Sequence, residues 1–115
     1  MIYIIEDDEI MAECIARACK EGEVKIFPDA IAAMDAISSE IPDLIFLDVL
    51  LTGPDGFTFL NELASYQDTA KIPIVIVSSL DFKGQDLSAY GVVGILDKST
   101  MTPKDMEEYV KRYSY

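Results

Sequence analysis

A chain of 115 residues is the size of one domain, and with half of them apolar it can bury a core without disulfides or a structural metal. Nine Lys and Arg against 21 Asp and Glu give a formal net charge of −12, which disfavours direct binding to nucleic acid or anionic lipid. Histidine is absent, no apolar run approaches a membrane span, no signal-peptide pattern is present, and Cys14 and Cys19 fall on different faces of one predicted helix, so a reducing, cytoplasmic setting is expected.

Met1–Ile5 (MIYII) reads as a buried strand. Glu9–Lys20 follows with apolar residues at Ile10, Met11, Cys14, Ile15 and Ala18, the spacing of one helix face, and Gly22 supplies a stop. Val24–Phe27 is a short second strand. Asp29 can cap a helix whose apolar positions are Ile31, Met34 and Ile37. Beyond Pro42, Leu44–Leu47 (LIFL) is a third, wholly apolar strand.

Thr52–Gly56 (TGPDG) reads as a turn, with Asp55 as cap of a helix over Gly56–Tyr66. Ile72–Val77 forms a fourth strand with Pro73 near its start. Phe82–Tyr90 is a weak helix, and Val92–Leu96 is a fifth strand. Thr102 then caps a last helix with Pro103 at its first position and a face of Met106, Tyr109, Val110 and Tyr113. Continuous apolar strands alternating with helices predict an α/β fold, a doubly wound five-stranded parallel sheet with helices on both faces. No linker or repeat divides the chain, so residues 1–115 are expected to form a single domain without an output domain.

In such a sheet, ligands bind beyond the carboxyl ends of the strands. The residues found there are Glu6, Asp7 and Asp8 after the first strand, Asp48 after the third, Ser78 and Ser79 after the fourth, and Asp97 and Lys98 after the fifth. Taken singly, the acidic triplet and Asp48 are ordinary helix caps, Ser78 a strand-end hydroxyl and Lys98 a solvated lysine. Together they place carboxylates, hydroxyls and one ammonium on a single edge. Clustered carboxylates repel unless a cation joins them, and Mg²⁺ takes carboxylate oxygens together with a phosphate. An ammonium and a hydroxyl can hold phosphoryl oxygens, and an aspartate can accept a phosphoryl group. No Gly-rich phosphate loop argues for a nucleotide cofactor.

The stretches IYIIEDDE, LIFLDVLLTGPDG, IVIVSS and ILDKS, in this order and spacing, resemble the two-component response regulator receiver domain over essentially the whole chain. The resemblance implies a flavodoxin-like strand order 2-1-3-4-5. It implies Asp48 as phosphoacceptor and Mg²⁺ as cofactor. Asp7 would be the direct metal ligand, Glu6 a ligand through water and Leu50 a ligand through its backbone carbonyl; a register with Asp7 and Asp8 as the acidic pair stays open. Ser78 and Lys98 would engage the phosphoryl group. The implied partners are a sensor histidine kinase or histidine phosphotransfer protein as donor and a downstream protein target, with no direct nucleic acid and no membrane.

The chain departs from the family pattern at Thr52 and Ser99, where proline is usual, and at Ile95, where the switch aromatic is usual. Leu50 and Leu80 occupy positions associated with dephosphorylation rate. The favoured reading is a phosphorylation-dependent signalling switch that catalyses only its own phosphotransfer and dephosphorylation. The rival is a pseudo-receiver, a protein-interaction module that is not phosphorylated, and a small Mg²⁺-dependent phosphatase is a third possibility.

Overall fold

Short runs of Ile, Leu, Val and Phe with no alternation need cover on both sides, and they find it in the centre of the sheet. A computed structural model describes residues 1–20, 22–49, 56–79 and 86–114. The central strands β1 (Ile2–Ile5), β3 (Leu44–Leu47) and β4 (Ile74–Ser78) are buried throughout, and β2 (Val24–Phe27) and β5 (Val92–Asp97) form the half-exposed edges. All pairings are parallel, in the order β2-β1-β3-β4-β5. The predicted fold class and strand order are therefore observed.

Helices α1 (Glu9–Ala18) and α4 (Pro103–Tyr113) cover one face, where Ile4, Phe46 and Val77 meet Ile15, Met106 and Val110. Helices α2 (Ala30–Ile37) and α3 (Gly56–Ala64) cover the other, where Ile5, Leu47 and Ile76 meet Ala33, Ile37, Phe59 and Leu63. In β5 one extra residue intervenes, since Ile74 pairs with Val92 but Val75 with Gly94. The irregularity switches the strand's faces, so Val92 packs with the α2–α3 layer and Leu96 with the α1–α4 layer.

Several local expectations are corrected. Strand β4 begins at Ile74 rather than Ile72, because the Ile72 N–H closes a turn onto the Thr69 carbonyl and Pro73 has no N–H to give. Of the weak helix expected over Phe82–Tyr90, residues 82–85 lie outside the described ones, and the rest forms only a 3-10 turn at Ser88–Tyr90, closed by Gly91 at φ 82°. Gly22 does not stop α1 by a left-handed conformation, which Lys20 adopts instead at φ 38°. A Cβ at Gly22 would lie 2.9 Å from Ile2 Cδ1, so a side chain there would have to displace the tip of that buried isoleucine.

The buried stripes of the first two helices are also rotated from expectation. Ala12, Ile15 and Ala18 face the sheet from α1, leaving Ile10 and Cys14 exposed. Ala30, Ala33 and Ile37 do so from α2, leaving Ile31 65% exposed and Met34 only partly buried. Alanines take two of the three sheet-facing positions on each helix, with Ile15 and Ile37 as the third. The Asp29 cap is as predicted, accepting the Ala32 N–H at 2.8 Å. So is the Thr102 cap, which Asp105 completes into a capping box. The predicted Asp55 cap and Thr52–Gly56 turn fall on residues outside the described ones.

Candidate functional site

From β1 the chain passes to one side into β2 and later to the other side into β3, so the order reverses between β1 and β3. Side chains that follow these two strands meet at this switch point. Glu6 is held there by its N–H on the Phe27 carbonyl and Asp48 by its N–H on the Ile5 carbonyl, both at 3.0 Å. Glu6 is 3% exposed and Asp48 5% exposed. Asp7 is exposed beside them, and one oxygen from each of the three carboxylates falls within 4.8 Å of the others.

Lys98 follows β5, where its N–H donates to the Ser78 carbonyl at 3.0 Å. Its Nζ passes over the end of β4 to Glu6 Oε1 at 2.5 Å and Asp48 Oδ2 at 3.2 Å. One ammonium thus serves two buried carboxylates. Glu6 Oε2 is buried with no hydrogen-bond partner among the described residues. Burial, reinforced by the neighbouring Asp48 carboxylate, pushes the Glu6 carboxyl up to about 8 against the pull of Lys98. Burial opposes the charge on Lys98 as well, but the Glu6 and Asp48 carboxylates outweigh it and hold the lysine above its ordinary value.

Asp8 stands apart, its carboxylate accepting the N–H groups of Ile10 and Met11 as the N-cap of α1. The acidic group that the fold gathers is therefore Glu6, Asp7 and Asp48. Ser78 ends β4 at the same edge, paired in register with Asp97, and is 1% exposed. Leu50 and Leu80 lie outside the described residues. Sequence reasoning missed the direct Lys98–Glu6 pair. Strand order and the reach of a lysine together would have found it, because Lys98 must cross β4 to arrive at the β1–β3 junction.

Ser99, which stands where proline is usual, gives its N–H and hydroxyl to Asp97 Oδ1 at 2.8 and 2.7 Å. These bonds tie the turn that delivers Lys98. Ile95 lies 39% exposed on β5.

A hard divalent cation fits the donor set. All the donors are carboxylate oxygens, two of the carboxylates are buried, and one buried oxygen lacks a donor.

The family model of the response regulator receiver domain matches residues 2–111. A protein-glutamate methylesterase/protein-glutamine glutaminase 2 of Pseudomonas syringae pv. tomato is 42% identical over 107 residues, which are 86% of this chain and 29% of that protein. Its counterpart in Chromobacterium violaceum is 31% identical over 105 residues, 84% of this chain and 29% of that protein. The chain thus spans under a third of these curated relatives. A putative response regulator from Chloroflexus aurantiacus superimposes with a TM-score of 0.81 at 27% identity, covering 96% of this chain and 93% of that one. The Mn²⁺-bound form of response regulator Rcp1 does so with 0.73 at 26% identity, covering 96% and 88%. Among the described residues no helix is long and apolar enough to cross a membrane.

Proposed function

This chain belongs to the response regulator receiver domain family, and from that premise we propose that it is a phosphorylation-dependent signalling switch with Asp48 as phosphoacceptor. The observation that carries the reading is Lys98 Nζ seated on both Glu6 and Asp48 beside Asp7. A scaffold of the same fold has no need of two buried carboxylates on one ammonium, since buried ion pairs rarely add net stability.

An Asp48 carboxylate oxygen attacks the phosphorus of a phosphohistidine on a sensor histidine kinase or histidine phosphotransfer protein. The new P–O bond makes an aspartyl-phosphate as the P–N bond breaks, and its electron pair returns to the imidazole nitrogen, which takes a proton from solvent. Lys98 exchanges an Asp48 oxygen for a phosphoryl oxygen, and the Ser78 hydroxyl donates to another. Glu6, Asp7 and Asp48, with the backbone carbonyl of Leu50, would hold Mg²⁺. When bound, the ion neutralises the charge that gathers on the phosphoryl oxygens. Rcp1, similar in fold and 26% identical, has been solved with Mn²⁺, which supports a divalent cation here. The redistributed charge around Lys98 then alters contacts with a downstream protein target. With its donor, the protein would act in the cytoplasm, without direct contact to nucleic acid or membrane.

The test is acetyl phosphate with the purified chain, read by intact mass. One added phosphoryl group is expected with Mg²⁺, none with EDTA, and none in Asp48→Asn. No adduct under any condition would leave the pseudo-receiver reading standing. Consumption of acetyl phosphate without accumulated adduct would indicate a phosphatase.

A further inference from the structure

Helix α2 turns alanines to the sheet and leaves Ile31 and Met34 beside α3 rather than beneath it. Between the two helices lies a cavity of about 510 Å³, floored by Met34, Ile37, Ile41 and Tyr66. A second of about 300 Å³, bordered by Ile31 and Phe59, shares Met34 and Glu62 with the first. The two form one groove along the helix pair. Ile31, Ile41 and Tyr66 are 65%, 48% and 58% exposed, which puts apolar surface along the groove.

The charges on the groove are of one sign. Its larger cavity is lined by Glu40, Glu62 and Asp68 and by no Lys or Arg. Glu40 is engaged by Lys25 at 3.3 Å, but Glu62 and Asp68 form no ion pair among the described residues. An apolar floor with an acidic rim complements a helix that has apolar residues on one face and Lys or Arg at its borders. Eight residues of α2 run about 12 Å, enough to receive two turns of such a helix.

On a second copy of this chain, α1 exposes Ile10 and Cys14, but its one basic residue, Arg17, is paired with Glu13, and Glu9 stands in its first turn. The basic residues of α4, Lys104, Lys111 and Arg112, sit on a helix whose apolar face, Met106 and Val110, is buried against its own sheet. We therefore propose that the α2–α3 groove docks a basic amphipathic helix of a partner protein, at a surface separate from the Asp48 site.

The probe is a synthetic Leu/Lys amphipathic helix of roughly four turns, titrated into isotope-labelled protein and followed by amide NMR shifts. Shifts confined to residues 30–41 and 58–69 are expected. Glu62→Lys combined with Asp68→Lys should weaken binding about tenfold. Glu9→Lys combined with Glu13→Lys, which changes the net charge equally on exposed α1 positions, should change it by less than about twofold. Ile31→Ser, at a largely solvent-exposed position, should also weaken it.

Equal loss in both charge-reversal pairs would reduce the binding to general attraction and overturn the proposal. So would shifts mapping to α1 and α4, undiminished binding of a peptide with its leucines changed to serine, self-association through the groove in place of peptide binding, or no binding at millimolar peptide. None of these outcomes depends on whether Asp48 is phosphorylated.

Discussion

Glu6 and Asp97 are two carboxylates at the same edge of one sheet, and the fold treats them in opposite ways. Asp97 is exposed and accepts both donors of Ser99, and those hydrogen bonds hold its carboxyl below the ordinary aspartate value. Glu6 is buried, has one lysine from the far end of the chain, keeps one oxygen without a partner among the described residues, and is pushed up to about 8. Asp97 represents the rule in this molecule. Asp8, Asp29 and Asp105 likewise meet backbone N–H groups a few residues away. Local sequence satisfies those acids at once, whereas the cation on Glu6 arrives by a contact across 92 residues. A charge buried against local preference points to selection for chemistry over stability.

The largest effect should come from removing the shared cation. Lys98→Met would leave two carboxylates buried without a counter-charge, a change that typically costs 3–5 kcal/mol. With the Lys98 side chain itself 19% exposed, we expect about 3 kcal/mol in urea unfolding at pH 8. The loss should shrink at pH 5, because Glu6 can then take up a proton. Wild type should show the same sign more weakly. The native state binds the Glu6 proton more tightly than the unfolded chain, whose glutamates titrate near 4.5, so stability present in acid is lost as pH rises towards about 8. Glu6→Gln should flatten that slope. A metal-free protein that gains stability over this interval would contradict the assignment.

How much of this was legible in the sequence follows from the same division. The sheet was legible because LIFL and IVIV cannot be anything but doubly covered strands, and the acids directly after β1 and β3 fixed the place of the site. Contacts that depend on distant chain were not. Gly22 lies tight against Ile2, and Lys98 finds Glu6 only once β4 and β5 are ordered beside β3. The faces of α1 and α2 were misjudged for another reason. Periodicity weights isoleucine above alanine, but the stripes that meet the sheet are Ala12, Ile15 and Ala18 on α1 and Ala30, Ala33 and Ile37 on α2.

Two substitutions of similar size and opposite sign would sharpen the contrast. Asp48→Asn removes one of two carboxylates competing for Lys98 and should stabilise the metal-free protein by about 1 kcal/mol, while abolishing phosphorylation. Thr102→Ala removes the Oγ1 that accepts the Asp105 N–H and leaves only the other half of the capping box, the residue 102 N–H donating to the Asp105 carboxylate. It should destabilise by about 1 kcal/mol. Chemical denaturation of the two variants beside wild type measures both. If Asp48→Asn falls on the destabilised side with Thr102→Ala, Asp48 is a structural partner like the caps and the contrast fails.

The smallest effect belongs to Asp97. Its two bonds come from one residue, and Ser99→Ala deletes the hydroxyl donor at 2.7 Å while leaving the N–H donor at 2.8 Å. The carboxyl should therefore move part of the way back towards the ordinary aspartate value of 3.8, which carboxyl-carbon NMR across an acid titration resolves. A depressed carboxyl contributes stability above its unfolded value and loses it as pH falls through the folded one, opposite in sign to Glu6. In full solvent that contribution is too small to shift the unfolding midpoint. Ser99→Pro removes both donors and should complete the return, because proline has neither N–H nor hydroxyl. It also reveals whether the turn, rather than the ion pair, aims Lys98. If Ser99→Pro leaves the Glu6 titration where it is in wild type, the lysine is placed by its carboxylates alone. If the Glu6 titration moves with that of Asp97, the exposed turn and the buried site are one unit, and the serine in place of the usual proline serves the chemistry of the neighbouring Lys98.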